Sequence, residues 1–432
     1  MKANGFFQID EACSIECMSR YSFLAGIAPV REEHLMKTDS IAARRTTKTF
    51  LSAADCRLED LARLTRQTVN CADYPHAVAA EKNVLIYDCD AIRTAISDPE
   101  RRKNILAEWS DALLEGPGVI VLKRAETDHA VIDRASDIFR QIIADQHRTK
   151  TGGGDHFAKP GANDRIWNSL EKHCLKDPDN FARYYGNEIL ALISEAWLGP
   201  LYQMTAQLNV VNPGGAAQSP HRDYHLGFQT PQDIERYPRH VHLFSPQLTL
   251  QGAIAHVDAP LEAGPTLLLP FSQQYDAGYL AMNRPDVRDF FLEHHVQLPL
   301  EKGDMLFFSP ALLHAAGTNR STDIKRMVNL FQVSSAYGRA METVERVAMS
   351  KALYPAVLKA KTAGSLSAAR IDCAISCCAE GYSFPTNLDR DPPLGGLAPK
   401  PQAVLFREAL AAGMAPADFN ALLDAHAAKR LS

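Results

Sequence analysis

The period of the apolar positions changes several times along the chain, and each change marks an element. Residues 1–80 mix helical spacing with polar stretches and carry no nameable motif. The run NVLIYDCD, opening at Asn83, predicts a short strand. From 91 to 115, Ile92, Ile96, Ile105, Leu106, Trp109, Leu113 and Leu114 recur at roughly helical spacing. Gly116-Pro117-Gly118 stops that helix, and VIVLK predicts the next strand. Helical spacing returns over 128–147 with Val131, Ile132, Ile138, Ile142 and Ile143. Residues 148–165 then hold four glycines, a proline and six charged side chains, so they predict a loop. A glycine-hinged loop carrying Lys159, with Arg165 and Trp167 beyond it, is also the composition of a lid. Residues 166–198 predict helix.

From 202 to 335 the texture is different. QMTAQLNVV, QLTLQGAIAHV, PTLLLP, HHVQLPL, DMLFF and RMVNLFQVS alternate with turns at Pro213-Gly214-Gly215, Gly264-Pro265 and Gly303-Asp304. Short strands so spaced predict a sandwich or barrel. Past Tyr337 the spacing is helical. Prolines and glycines over 385–401 predict a strap, and Asp418 is placed to cap a last helix with Phe419, Leu422, Leu423 and His426 inward. The divisions expected are an N-terminal extension 1–83, a main domain 84–340 with its strand-rich core at 202–335, and a helical C-terminal extension 341–432.

Composition narrows the class. With 46 Lys+Arg against 51 Asp+Glu, a net charge of −5 across 432 residues offers no basic excess for binding nucleic acid. No apolar run approaches the ~18 residues of a membrane span. Nine cysteines, an odd count with no leader-like start, predict reduced thiols and a cytoplasmic protein. Cys373, Cys377 and Cys378 suggest a soft-metal site, but their spacing favours helix packing or redox exposure.

The candidate chemistry lies in QLNVVNPGGAAQSPHRDYHLGF. His221 and Asp223 are two apart, so an extended backbone turns both to one face. A distant His314, beside another predicted strand, completes two imidazoles and one carboxylate. That set suits a ferrous ion and leaves coordination positions open. His225, His240, His242 and His256 remain alternative ligands by spacing.

On these residues the sequence resembles the phytanoyl-CoA dioxygenase family of Fe(II)/2-oxoglutarate-dependent oxygenases, most clearly from Gln207 to Ser334. The carriers are His221-x-Asp223 after a Pro-Gly turn, the GPTLLLPFSQQ segment, and His314 followed by Gly317, Asn319, Ser321 and Arg326. The resemblance implies an α+β chain with a double-stranded β-helix, a jelly-roll or cupin-like core. It implies a dioxygenase in which Fe(II) and O₂ turn 2-oxoglutarate into succinate and CO₂ while an aliphatic C–H of a small molecule is hydroxylated, with ascorbate as a stimulant. It also implies that an arginine anchors the far carboxylate of 2-oxoglutarate.

Arg326 stands one residue further from His314 than the family usually places it, Lys325 holds the usual spacing, and Arg320 is close. Arg326 is preferred because strand alternation puts it on one face with Val328, Leu330 and Gln332. Ala316 replaces a common hydroxyl residue, and Ser219 is the substitute candidate. Asp223 argues against halogenating relatives, which lack that carboxylate. The competing readings are a 2-oxoglutarate-independent metal enzyme on the same barrel and a binding protein with a vestigial site. Lys159, Arg165, Arg222, Arg236 and Arg239 are candidate contacts for an anionic substrate. Neither the substrate nor the oligomeric state is readable.

Overall fold

Alternation of side chains across one large sheet organises the molecule. The computed structural model describes residues 49–149 and 163–432. The glycine-rich centre of the segment read as a lid, with Lys159, lies outside the described residues, as do residues 1–48. The described strands are β1 (Ala79–Glu81), β2 (Val84–Asp88), β3 (Val119–Lys123), β4 (Asn163–Ile166), β5 (Gln203–Val211), β6 (Thr249–Ala255), β7 (Leu267–Leu268), β8 (Met305–Phe308), β9 (His314–Ala315) and β10 (Arg326–Ser334). Eight form a sheet in the order β1-β2-β3-β8-β6-β10-β5-β4, and β7 pairs with β9. Neighbours in the large sheet are antiparallel apart from β2 and β3. Those two run parallel because helices Cys89–Ala95 and Pro99–Leu114 carry the chain back between them.

The large sheet has two different faces. On β10, Met327, Phe331 and Val333 join an apolar core under helices, while Arg326, Val328, Leu330 and Gln332 line a cavity on the other side. β5 divides likewise, with Met204, Ala206 and Leu208 toward the helices and Gln207 and Asn209 toward the cavity. Across the cavity stand β7, β9 and the bridge His221↔His314. Two sheets facing each other across a cavity make an α+β protein with a double-stranded β-helix core and helical extensions.

The helical layer draws on both halves of the chain. Trp109, Phe139 and Phe181 from the first half share one core with Tyr354, Phe406 and Phe419 from helices Arg346–Thr362, Gln402–Ala412 and Pro416–Lys429. Burying each such ring is worth about 1.5–3 kcal/mol, so the C-terminal helices close the core behind the sheet. The boundary read at residue 83 falls between two paired strands, since Glu81 pairs with Val84. No helix among the described residues is long and apolar enough to cross a membrane.

Several local expectations need correction. Residues 163–166, read as loop and helix, form β4 against β5, because Ile166 joins the apolar core and Arg165 the cavity face. The segment HHVQLPL forms single bridges rather than a strand. Within 202–335 the chain also builds helix Pro285–His294, which buries Val287 and Phe291 on one face. The last helix starts at Pro416, one turn ahead of the cap read at Asp418. Cys377 and Cys378 are buried on helix Ala368–Cys378, where burial pushes the Cys377 thiol upward, so this cluster is packing.

A polar network lies between sheet and helices. Asn329 of β10 donates to the hydroxyls of Tyr184 (3.2 Å) and Tyr185 (3.1 Å) and accepts from Ser169 Oγ at 3.0 Å. Ser136 Oγ donates to Ile132 O at 2.9 Å, so His256 Nδ1 donates to Ser136 Oγ at 2.8 Å. His256 Nε2 then accepts from Tyr184 OH at 2.8 Å. This chain of donors admits a neutral His256 alone. Burial, helped by His173, Lys302 and Arg140 and opposed by Asp133, pushes His256 down to about 3. Burial likewise pushes His173 down to about 4, against its bond with Asn180.

Both imidazoles hold protons less well folded than unfolded. Their stabilisation is complete above the ordinary value of 6.5 and is lost as pH falls toward the folded values. Urea unfolding midpoints should therefore drop between about pH 6.5 and 4, and His256→Gln should flatten that slope by up to about 1.4 kcal/mol per pH unit.

Candidate metal centre

The site is assembled by backbone pairing. After β5 the chain turns at Gly214, whose φ of 81° favours glycine. It then runs beside 314–319: Gly214 N donates to Asn319 O, Gln218 N to Ala316 O, and His221 N to His314 O at 3.0 Å. His314 N returns the bond to His221 O at 3.1 Å, and Leu268 of β7 pairs with His314 on its other side. Asp223 N donates to Pro310 O at 3.2 Å before the chain bends away at Tyr224, φ 65°. His221 and Asp223 are thus aimed by one bridge and a bend, not by the regular strand expected from their spacing.

Ligand atoms of His221, Asp223 and His314 lie within 4.8 Å of one another, the one such group among the described residues. His221 Nε2 is 3.6 Å from Asp223 Oδ1, and His314 Nε2 is 3.4 Å from Asp223 Oδ2. Each Nδ1 faces a carbonyl, Ser219 O at 2.8 Å for His221 and Leu312 O at 3.0 Å for His314. A carbonyl only accepts, so both Nδ1 atoms carry hydrogen and both Nε2 lone pairs face Asp223. Burial, then the neighbouring His314, pushes His221 downward and keeps it neutral. Burial alone would raise Asp223; the imidazoles beside it and the Gln251 amide that donates to it outweigh burial and hold the carboxyl well below the usual range. Two neutral imidazoles and one carboxylate are a donor set that fits a divalent transition metal. His256 lies behind the sheet, His225 bonds Ser245 Oγ, His242 bonds Tyr237 O and His240 is exposed, so none joins this group.

The cavity around the group measures about 530 Å³. Arg326 is 5% exposed, and its Nε and Nη1 have no hydrogen-bond partner among the described residues. Burial pushes its guanidinium down to about 10, which leaves it charged at neutral pH. Arg320 and Lys325 are exposed and lie off the cavity wall. Arg165 lines the cavity, donates to Gln207 Oε1 at 3.2 Å and sits 5.2 Å from the Trp167 ring. Ser219 lines it too, and its placed contact is the carbonyl to His221 rather than the hydroxyl.

Three of the arginines suggested for an anionic substrate are otherwise occupied. The Arg222 guanidinium donates to Ser272 O and lies over Tyr279 at 5.3 Å. Arg236 is paired with Asp233, and Arg239 with Asp276. Sequence reasoning passed over the amides Gln207, Asn209 and Gln251 on the cavity face, and placed Gln332 beside Arg326 without a role. The signal was present: polar residues recur inside runs otherwise apolar enough for a buried strand.

The family model for phytanoyl-CoA dioxygenase (PhyH) matches residues 101–327, more than half of the chain. The chain belongs to the phytanoyl-CoA dioxygenase family. Among solved structures it is similar to the non-heme alpha ketoglutarate dependent epimerase SnoN from nogalamycin biosynthesis, with 19% identity, 55% of this chain and 85% of that chain covered, and a TM-score of 0.38. The carbocyclase SnoK from the same biosynthesis matches at 18% identity over 60% of this chain and 90% of that chain, TM-score 0.39. AviO1 from Streptomyces viridochromogenes Tue57 matches at 17% identity over 54% and 97%, TM-score 0.38. No curated protein matches.

One packing contact near the site is open to a direct check. A Cβ on Gly278 would stand 1.9 Å from Arg222 Cζ, and that guanidinium is held in place. Gly278→Ala should lower stability by about 1–3 kcal/mol, the usual cost of overpacking, read as a fall in the denaturant midpoint.

Proposed function

We propose that this chain is an Fe(II)/2-oxoglutarate-dependent dioxygenase that hydroxylates an aliphatic C–H of a small molecule. His221, Asp223 and His314 are the proposed metal ligands, and Arg326 the anchor for the distal carboxylate of 2-oxoglutarate. One observation carries the reading: a buried, charged, unpartnered guanidinium lines the same cavity as two imidazoles and a carboxylate. A cation so placed is costly unless an anion joins it, and a planar fork fits a carboxylate. A 2-oxoglutarate-independent barrel enzyme would have no use for it.

When bound, Fe(II) with O₂ supplies the oxidation, coupled to decarboxylation of 2-oxoglutarate. The remaining work falls to this chain. Ser219 O and Leu312 O hold the imidazoles in the tautomer that presents Nε2. Phe308, Leu306, Val328 and Leu330 make part of the cavity wall apolar, which limits water. Ser219 is proposed as a second cosubstrate contact, since it lines the cavity. Among the described lining residues Asp223 is the one carboxylate, against Arg165 and Arg326. That balance supports an anionic or neutral substrate over a cationic one, with Arg165 its candidate partner. The described cysteines are free thiols, which suits a reducing compartment such as the cytoplasm.

Asp223→Ala should abolish succinate formation and weaken iron binding, because an open three-ligand site has no spare protein ligand. Wild-type iron content in that variant would remove the triad assignment. Arg326→Ala should raise the 2-oxoglutarate KM at least about tenfold, since losing one partner of a buried charge pair costs roughly 2–5 kcal/mol. Arg320→Ala should change it less than about threefold, as for an exposed charge. Arg326→Lys should restore part, for want of the fork. Initial rates of succinate release across cosubstrate concentrations give all three values, and the opposite ranking would assign the anchor to Arg320.

A further inference from the structure

Gln251 touches the three-residue group without belonging to it. It sits on β6, paired across the sheet with Phe308 and Gln332, and its side chain lines the cavity. Its Nε2 donates to Asp223 Oδ2 and stands 3.4 Å from His314 Nε2. Both neighbours are acceptors. Asp223 presents a carboxylate, and His314 has given its hydrogen-bearing Nδ1 to Leu312 O. The amide can therefore present only its NH₂ here, and its Oε1 is left buried without a partner. An unpaired buried carbonyl costs about 1–3 kcal/mol, so the demand of the carboxylate overrides it.

Of the two oxygens of Asp223, Oδ2 accepts from the amide and stands 3.4 Å from His314 Nε2, and Oδ1 faces His221 Nε2 at 3.6 Å. We infer that Gln251 is a positioning residue of the metal centre, whose amide donor fixes the Asp223 carboxylate in the rotamer that faces both imidazoles. A ligand held in place before the metal arrives loses less freedom on binding it. The inference rests on the reading of His221, Asp223 and His314 as a metal site.

The test measures metal affinity and not turnover. Chelator-stripped protein is titrated with Co(II) in a calorimeter, without cosubstrate. Gln251→Met keeps the length of the side chain and removes the NH₂. Its Kd for Co(II) should rise about 10–100-fold, the usual loss when a group supporting a ligand is removed. The unfolding midpoint of the metal-free variant should stay within about 2 °C of wild type. Gln251→Asn keeps the NH₂ on a shorter arm and should fall between the two. An unchanged Kd in Gln251→Met overturns the inference. If that variant does not fold, Gln251→Asn decides: a loss of about threefold or more supports the role, and wild-type affinity overturns it. A wild-type chain that takes up no Co(II) instead overturns the metal-site reading beneath it.

Discussion

Two backbone hydrogen bonds, His221 N to His314 O and His314 N to His221 O, hold together everything the site depends on. They join segments far apart in sequence and set the two imidazole centroids 4.4 Å apart. Register along this pairing cannot drift, because a slip of one residue would turn one imidazole out of the cavity. The contacts on either side reinforce it, with Gln218 on Ala316, Asp223 on Pro310 and Leu268 on His314. Asp223 reaches the group because its segment is pinned first at His221 and again at Pro310.

The large sheet supports this pairing by dividing its work between faces. Toward the helices it is apolar, apart from the satisfied network around Asn329 and His256. Toward the cavity it carries Arg326 and several amides among apolar side chains. A buried guanidinium lacking partners is unfavourable in isolation. The fold tolerates it because the rings of the helical layer, the C-terminal helices included, close a large core behind the same strands. Polar cost on one face of β10 is offset by packing on the other.

Much of this was legible in the chain. β2, β3, β5, β6, β8 and β10 each coincide with an apolar run bounded by turn residues. Alternation also separated Arg326 from Lys325, since neighbouring strand positions face opposite ways. The errors arose where local pattern and tertiary partner disagree. β4 was hidden because Asn163 and Arg165 look like loop residues until β5 pairs with them. Arg222 looked like a substrate contact until Gly278 gave its guanidinium room against Tyr279.

What the sequence determined by itself were the properties set by short range: strand and helix periods, and which face of β10 carries the arginine. The tertiary structure alone decided which of several histidines completes the group, that Arg326 lacks a partner, and that Gln251 reaches Asp223. The reason is physical. Periodicity follows from the backbone geometry of a few adjacent residues, whereas convergence depends on sheet order and register between segments scores of residues apart, and no local spacing encodes which strand will lie beside which.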